Sequence, residues 1–156
     1  MSRIVSLFVV AALLFLSAAC SEKKPPTEAA VKSAGVISAL QDLSHMFERK
    51  NLPGFMNFVS SDYKDRQAFS SALAGVFTKY ETVRFTVQYT KMIIMIDEKG
   101  TSKAAFNWDS EWQTSGGSVR KNGGRVTFVF DPRDSSLVSI DGKNPFIPQP
   151  VETPGK

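Results

Sequence analysis

The hydrophobic period of this chain changes once, at Glu81, and that change limits the fold more than any other feature. Before it, apolar residues recur at three and four. Val36, Leu40, Leu43 and Phe47 make one helical stripe, and Phe69, Leu73, Phe77 and Tyr80 make another. After it, Val83, Phe85 and Val87 alternate with Arg84, Thr86 and Gln88, as in a strand with one buried face. Helices first and strands afterwards define an α+β chain, with the helices on one side of an antiparallel sheet.

The first helix is expected from Ala29 or Ser33 to Lys50, ended by Asn51-Leu52-Pro53-Gly54. A short helix carries Phe55, Phe58 and Val59. Asp62 or Asp65 is expected to cap the third helix through a side-chain oxygen. His45, the one histidine, lies opposite the first apolar stripe, which removes the commonest general base from the interior.

In the strand half, Tyr89 continues the apolar phase of Val87, but Lys91 breaks it, and Ile93 to Ile96 is apolar on both faces. A bulge or bend near Lys91 explains the break. Asp97 to Gly100 closes a hairpin. The return strand places Ala104, Phe106, Trp108, Ser110 and Trp112 on one face, and Ala105, Asn107, Asp109 and Glu111 on the other. Thr114 to Gly124 reads as a loop or long hairpin tip. Val126, Phe128 and Phe130 alternate again, and Leu137 to Ile140 is the last strand. Phe146 and Ile147 are expected to pack back onto the domain.

A separate signal stands at the start. Met1-Ser2-Arg3 is basic, Ile4 to Leu16 is almost unbroken apolar sequence, and Ser17-Ala18-Ala19 precedes Cys20, the one cysteine. A spanning helix needs about 20 apolar residues, so the stretch fits a cleaved export signal better. It resembles a bacterial lipobox, with Ser17 where that family usually has leucine. The resemblance implies cleavage after Ala19, acylation of Cys20 and a membrane anchor. Ser21, in place of the aspartate that retains such proteins in the inner membrane, implies an outer-membrane lipoprotein facing the periplasm. A plain signal cut after Ala19 would leave Cys20 a free thiol in an oxidising compartment.

Removal of the first 19 of 156 residues leaves 137, enough for one domain with a real core. The expected organisation is signal 1–19, tether 20–32 from Cys20, domain 33–148 and a loose tail 149–156. The net charge of +4 falls to +3 once Arg3 leaves. Export argues against a nucleic-acid partner, and an anionic membrane surface suits a mild positive excess.

The order of helix, short helix, helix and a bent antiparallel sheet of about four strands resembles the nuclear transport factor 2-like roll. That cone-shaped fold is shared with ketosteroid isomerase and SnoaL-type proteins. The carrying residues are Asn51-Leu-Pro-Gly-Phe55, the Phe69 to Tyr80 helix, and the ending Phe128-Val-Phe130, Ser139-Ile-Asp-Gly142 and Pro145-Phe-Ile-Pro148. The resemblance implies a cone that holds a ligand or is filled by side chains. Tyr89, Phe106, Trp108, Trp112 and Phe128 are the candidate pocket lining.

Isomerases of this fold need a carboxylate base and proton donors in the cone. The first helix has no tyrosine, and the Trp108 face carries Ser110 but no acid. No catalytic residue, cofactor or metal ligand is therefore assigned. Asp62, Tyr63 and Asp65 read as a cap and turn or as a cation site. Lys91 reads as a solvated bulge or a lone cation in the cone. Arg120, Lys121 and Arg125 read as a solvated loop or a dock for an anionic partner. Three functions stay open: a lipoprotein module binding an envelope protein or a small apolar ligand, an isomerase- or dehydratase-like enzyme with Asp109 or Glu111 inside the cone, and a homodimerisation module.

Overall fold

The structure is a computed structural model and describes residues 25–149. The signal segment, Cys20, the first part of the tether and residues 150–156 lie outside the described residues.

Helix α1 (Glu28–Glu48) begins one residue before the earlier of its two expected starts, Ala29. The reason is local. Thr27 Oγ1 accepts the Ala30 amide (3.2 Å), and Glu28 pairs with Lys32 one turn on (2.8 Å). Val36, Ala39, Leu40, Leu43 and Phe47 form its buried stripe, and His45 faces water. The helix ends at Glu48, and Lys50, two residues on, turns the chain away with a left-handed φ of 54°. Asn51 Oδ1 then accepts from the Gly54 amide (2.9 Å), capping α2 (Leu52–Asn57).

The expected aspartate cap of α3 (Arg66–Lys79) is not formed. Asp65 occupies the capping position with φ 55°, and its side chain makes no capping bond. Side-chain capping needs an extended backbone at that residue, and a left-handed one turns the carboxylate away. The adjacent Arg66 ties the helices together instead: its Nη2 donates to Met56 O (2.9 Å) and its Nε to Val59 O (3.5 Å).

Four strands, β1 (Thr82–Ile96), β2 (Ser102–Gln113), β3 (Val119–Phe130) and β4 (Leu137–Gly142), form an antiparallel sheet in the order β1-β2-β3-β4. The expected bulge is present and wide. Gln88 pairs with Asn107 and Ile93 with Ala105, so Tyr89 to Met92 lie against Phe106 alone. The extra residues reverse the phase of β1. Ile94 and Ile96 turn towards the helices, and Ile93 and Met95 turn out.

The expected loop 114–124 is mostly strand. Only Thr114 to Ser118 turn the chain, and Val119 to Gly124 pair with Trp108 to Gln113. Gly123 permits this, because a Cβ there would stand 2.7 Å from Asp109 Oδ1.

Helix α1 runs along the inner face of the sheet. Its first turn lies beside the β1–β2 hairpin, Ser44 Oγ donates to Phe85 O (2.7 Å), and Lys50 Nζ donates to Tyr80 O (2.9 Å).

The β3–β4 turn is fastened by charge. The Asp131 carboxylate accepts from the Arg133 amide (2.8 Å), Nε (2.9 Å) and Nη2 (2.7 Å), which holds its pKa down at about 2. A carboxylate depressed in the folded state stabilises it above the unfolded value of about 3.9 and loses that contribution as pH falls towards 2. The urea midpoint should therefore fall between pH 4 and pH 2, and Asp131→Asn should flatten that limb. An unchanged limb in the variant would mean that other carboxylates govern acid unfolding.

Candidate functional site

The inner face of the sheet decides what this domain can do. Phe106, Trp108, Trp112 and Phe128, four of the five candidate pocket residues, point into the cone and are fully buried. Tyr89 does not. It sits in the β1 bulge and is 40% exposed, because the bulge ends the alternation that would have carried it inside. Lys91, in the same bulge, faces water.

The cone is filled from the C-terminal side. After β4 the chain crosses the inner face and drives Phe146 into the centre. Its ring centroid lies 4.8 Å from those of Phe55 and Phe85, 5.2 Å from Phe47 and 5.9 Å from Phe128. Polar bonds hold the segment on both sides. Ser110 Oγ, buried, donates to Pro145 O (2.7 Å), Asn144 Oδ1 accepts from the Phe146 amide (2.9 Å), and the Arg120 guanidinium donates to Gln149 O. Arg120 is thus a clamp on the chain's own segment. The proline-bracketed Phe146-Ile147 pair signalled the return of this segment, but nothing local placed Phe146 at the centre.

Two polar atoms in the cone stand out. The indole Nε1 groups of Trp108 and Trp112 are buried with no hydrogen-bond partner among the described residues. Each such donor costs about 1–3 kcal/mol if left unmet. Around them the sheet offers no acid or base. Along the paired inner positions, from Val83 to Val87 on β1, Ser102 to Trp112 on β2 and Arg120 to Phe130 on β3, there is no Asp, Glu or His.

The acids are on the other side. Asp109 is exposed on the outer face, where its Oδ2 accepts from Gln88 Nε2 (3.0 Å). Glu111 pairs with Lys121 (2.8 Å), and the hydrogen bond from Lys121 lowers its pKa. Acid–base chemistry through Asp109 or Glu111 inside the cone therefore has no geometric support. Together with Arg84, Thr86 and Gly123 they line an open outer groove of about 470 Å³. Among the described residues no three His, Cys, Asp or Glu side chains cluster as a metal would require. No helix among them is long and apolar enough to cross a membrane.

Solved structures share this architecture. A Novosphingobium aromaticivorans protein provisionally described as a scytalone dehydratase superposes with a TM-score of 0.63 at 10% identity, over 70% of this chain and 81% of its own. A second protein of that organism, provisionally described as an aromatic ring hydroxylase, gives 0.62 at 9% identity over 73% and 90%. PrhC from Penicillium brasilianum gives 0.58 at 14% identity over 70% and 79%. No family model matches the sequence, and no curated protein matches it. The domain has the nuclear transport factor 2-like α+β roll fold, helices on a bent four-stranded antiparallel sheet. Solved examples of that fold bear the names of enzymes and of proteins of unknown function alike, so the fold does not assign chemistry.

Proposed function

We propose that this chain is a cell-envelope lipoprotein, anchored through acylated Cys20, whose roll domain binds an envelope protein rather than performing covalent chemistry. The observation that carries this reading is the cone itself: its centre is taken by Phe146, and its sheet wall has no titratable acid or base. The face offered to a partner is the outer groove of Arg84, Thr86, Asp109, Glu111 and Lys121, whose mixed charges suit a polar, charge-complementary contact. The outer membrane, with the domain facing the periplasm, is the location we infer, and Ser21 after the cysteine, where the resembled family has aspartate for inner-membrane retention, supports it.

The anchor is tested by Cys20→Ser, which should abolish palmitate labelling and leave the signal segment uncut, a gain in mass on the gel. Unchanged palmitate labelling, or no label on the wild-type chain, would end the lipoprotein reading. The partner surface is tested with a photo-crosslinking residue at Thr86, with Glu48 on α1 as the control. A discrete product specific to Thr86 supports the groove. A product of twice the chain's mass makes the partner a second copy. The same products from both sites would remove the groove from consideration.

A second reading, a small apolar ligand in the cone, is favoured by the two unmet indole donors of Trp108 and Trp112. It requires a carbonyl or similar acceptor on the ligand. Native mass spectrometry of the gently purified protein should then show an added mass, and an unliganded mass in every preparation would count against it.

A further inference from the structure

Among the described residues, four of the five exposed large apolar side chains, Val31, Tyr89, Ile93 and Met95, lie on the start of α1 or on β1 from its bulge to the hairpin beside it, and the fifth, Val119, stands at the far turn. Thr27, Glu28 and Lys32 of the α1 start share a groove with Ile96, Asp97 and Gly100 of the β1–β2 hairpin. On the strand leading into that hairpin, Ile93 and Met95 are each 52% exposed, and Tyr89 flanks them in the bulge. Val31, in the first turns of α1, is exposed as well. The bulge is the cause, since it turned the odd-numbered residues of β1 outward.

β1 is an edge strand. An edge that presents Tyr, Ile and Met is a liability in free solution and is normally covered or charged. The charge here is mixed, with a small excess of lysine. Glu28 and Lys32 cancel as a pair, and Asp97 keeps its charge while Oδ1 accepts from the Lys99 and Thr101 amides of its own turn. Lys91, Lys99 and Lys103 remain exposed, with Glu98, and Lys103 stands opposite Met95 on the same face. Apolar side chains with a lysine rim match an anionic lipid surface.

The chain between Cys20 and Thr27 is seven residues, so it spans at most about 25 Å. The far end of the sheet, at the Thr114–Ser118 turn, lies about 40 Å away along the 12 residues of β2. We propose that the Tyr89–Met95 stretch of β1 and its lysine rim rest on the bilayer that holds the anchor. This rests on the acylation of Cys20. The short tether keeps the patch at high effective concentration near the lipid, so a weak contact suffices.

The test uses the full lipidated chain in vesicles of phosphatidylethanolamine and phosphatidylglycerol. A nitroxide is placed through Met95→Cys or, at the far turn, through Ser118→Cys. Intact mass is measured first, and acylated Cys20 does not take the label. The oxygen-to-nickel-chelate accessibility ratio should be several-fold higher at position 95 than at 118. Equal ratios with Cys20 acylated would overturn the docking and leave the anchor standing. Loss of access to both reagents at 95 would mean a second copy of the chain covers the edge, and would also overturn it. An unacylated Cys20 would remove the anchor and the docking together.

Discussion

Phe146→Ala should lower the unfolding free energy by about 3–5 kcal/mol, the range for deleting a fully buried aromatic ring. The ring has no exposed surface and touches aromatic side chains from α1, α2, α3, β1 and β3, through Phe47, Phe55, Phe69, Phe85 and Phe128. Every layer of the domain borders the cavity that its loss would create. A domain of this size has about 5–15 kcal/mol in hand, so the variant should stand near the limit of folding. Urea unfolding followed by the buried Trp108 and Trp112 measures it. Phe146→Leu keeps most of the volume and should cost well under half as much. A loss below about 1 kcal/mol for the alanine variant would show that the C-terminal segment packs on a core already complete without it.

Leu43→Ala should cost about 2–5 kcal/mol in the same measurement. Leu43 is fully buried in the middle of α1, flanked by Leu40 and Phe47 on the stripe that faces β1. His45→Ala, two residues away on the exposed face, should stay within about 0.5 kcal/mol. The contrast is the check: similar costs at both positions would mean that α1 does not seat on the sheet by this face.

Both stripes of apolar residues were legible in the sequence, because a helix buried on one side must repeat its contacts at three and four, and a strand at two. The same logic found the Trp108 face of β2 and put Asp109 and Glu111 on the other side. It failed where pairing with a distant strand sets the geometry. Tyr89 continues a clean alternation locally, yet the width of the bulge is decided by where Ile93 meets Ala105, and no local pattern records that. Val119 to Gly124 is charged and glycine-rich, so it reads as loop. It is strand because β2 lies alongside and Lys121 meets Glu111 there. The Asp65 expectation failed on a backbone angle that aspartate tolerates without demanding. The candidate site was half legible: its aromatic wall showed in the alternation of β2 and β3, and its occupant did not. Phe146 lies in an irregular, proline-rich stretch with no period to reveal which way it points.

The place of Phe146 in the chain has a consequence for the order of assembly. Its partners Phe47 and Phe55 precede it by about a hundred residues, and every other buried apolar residue among those described has emerged before it does. Contacts this distant in sequence form late and slowly. A polypeptide that leaves a translocation pore from its first residue onwards would carry helices and most of a sheet across while their shared centre is still missing. The domain would stay loose, and threadable, until the segment that seals it arrives.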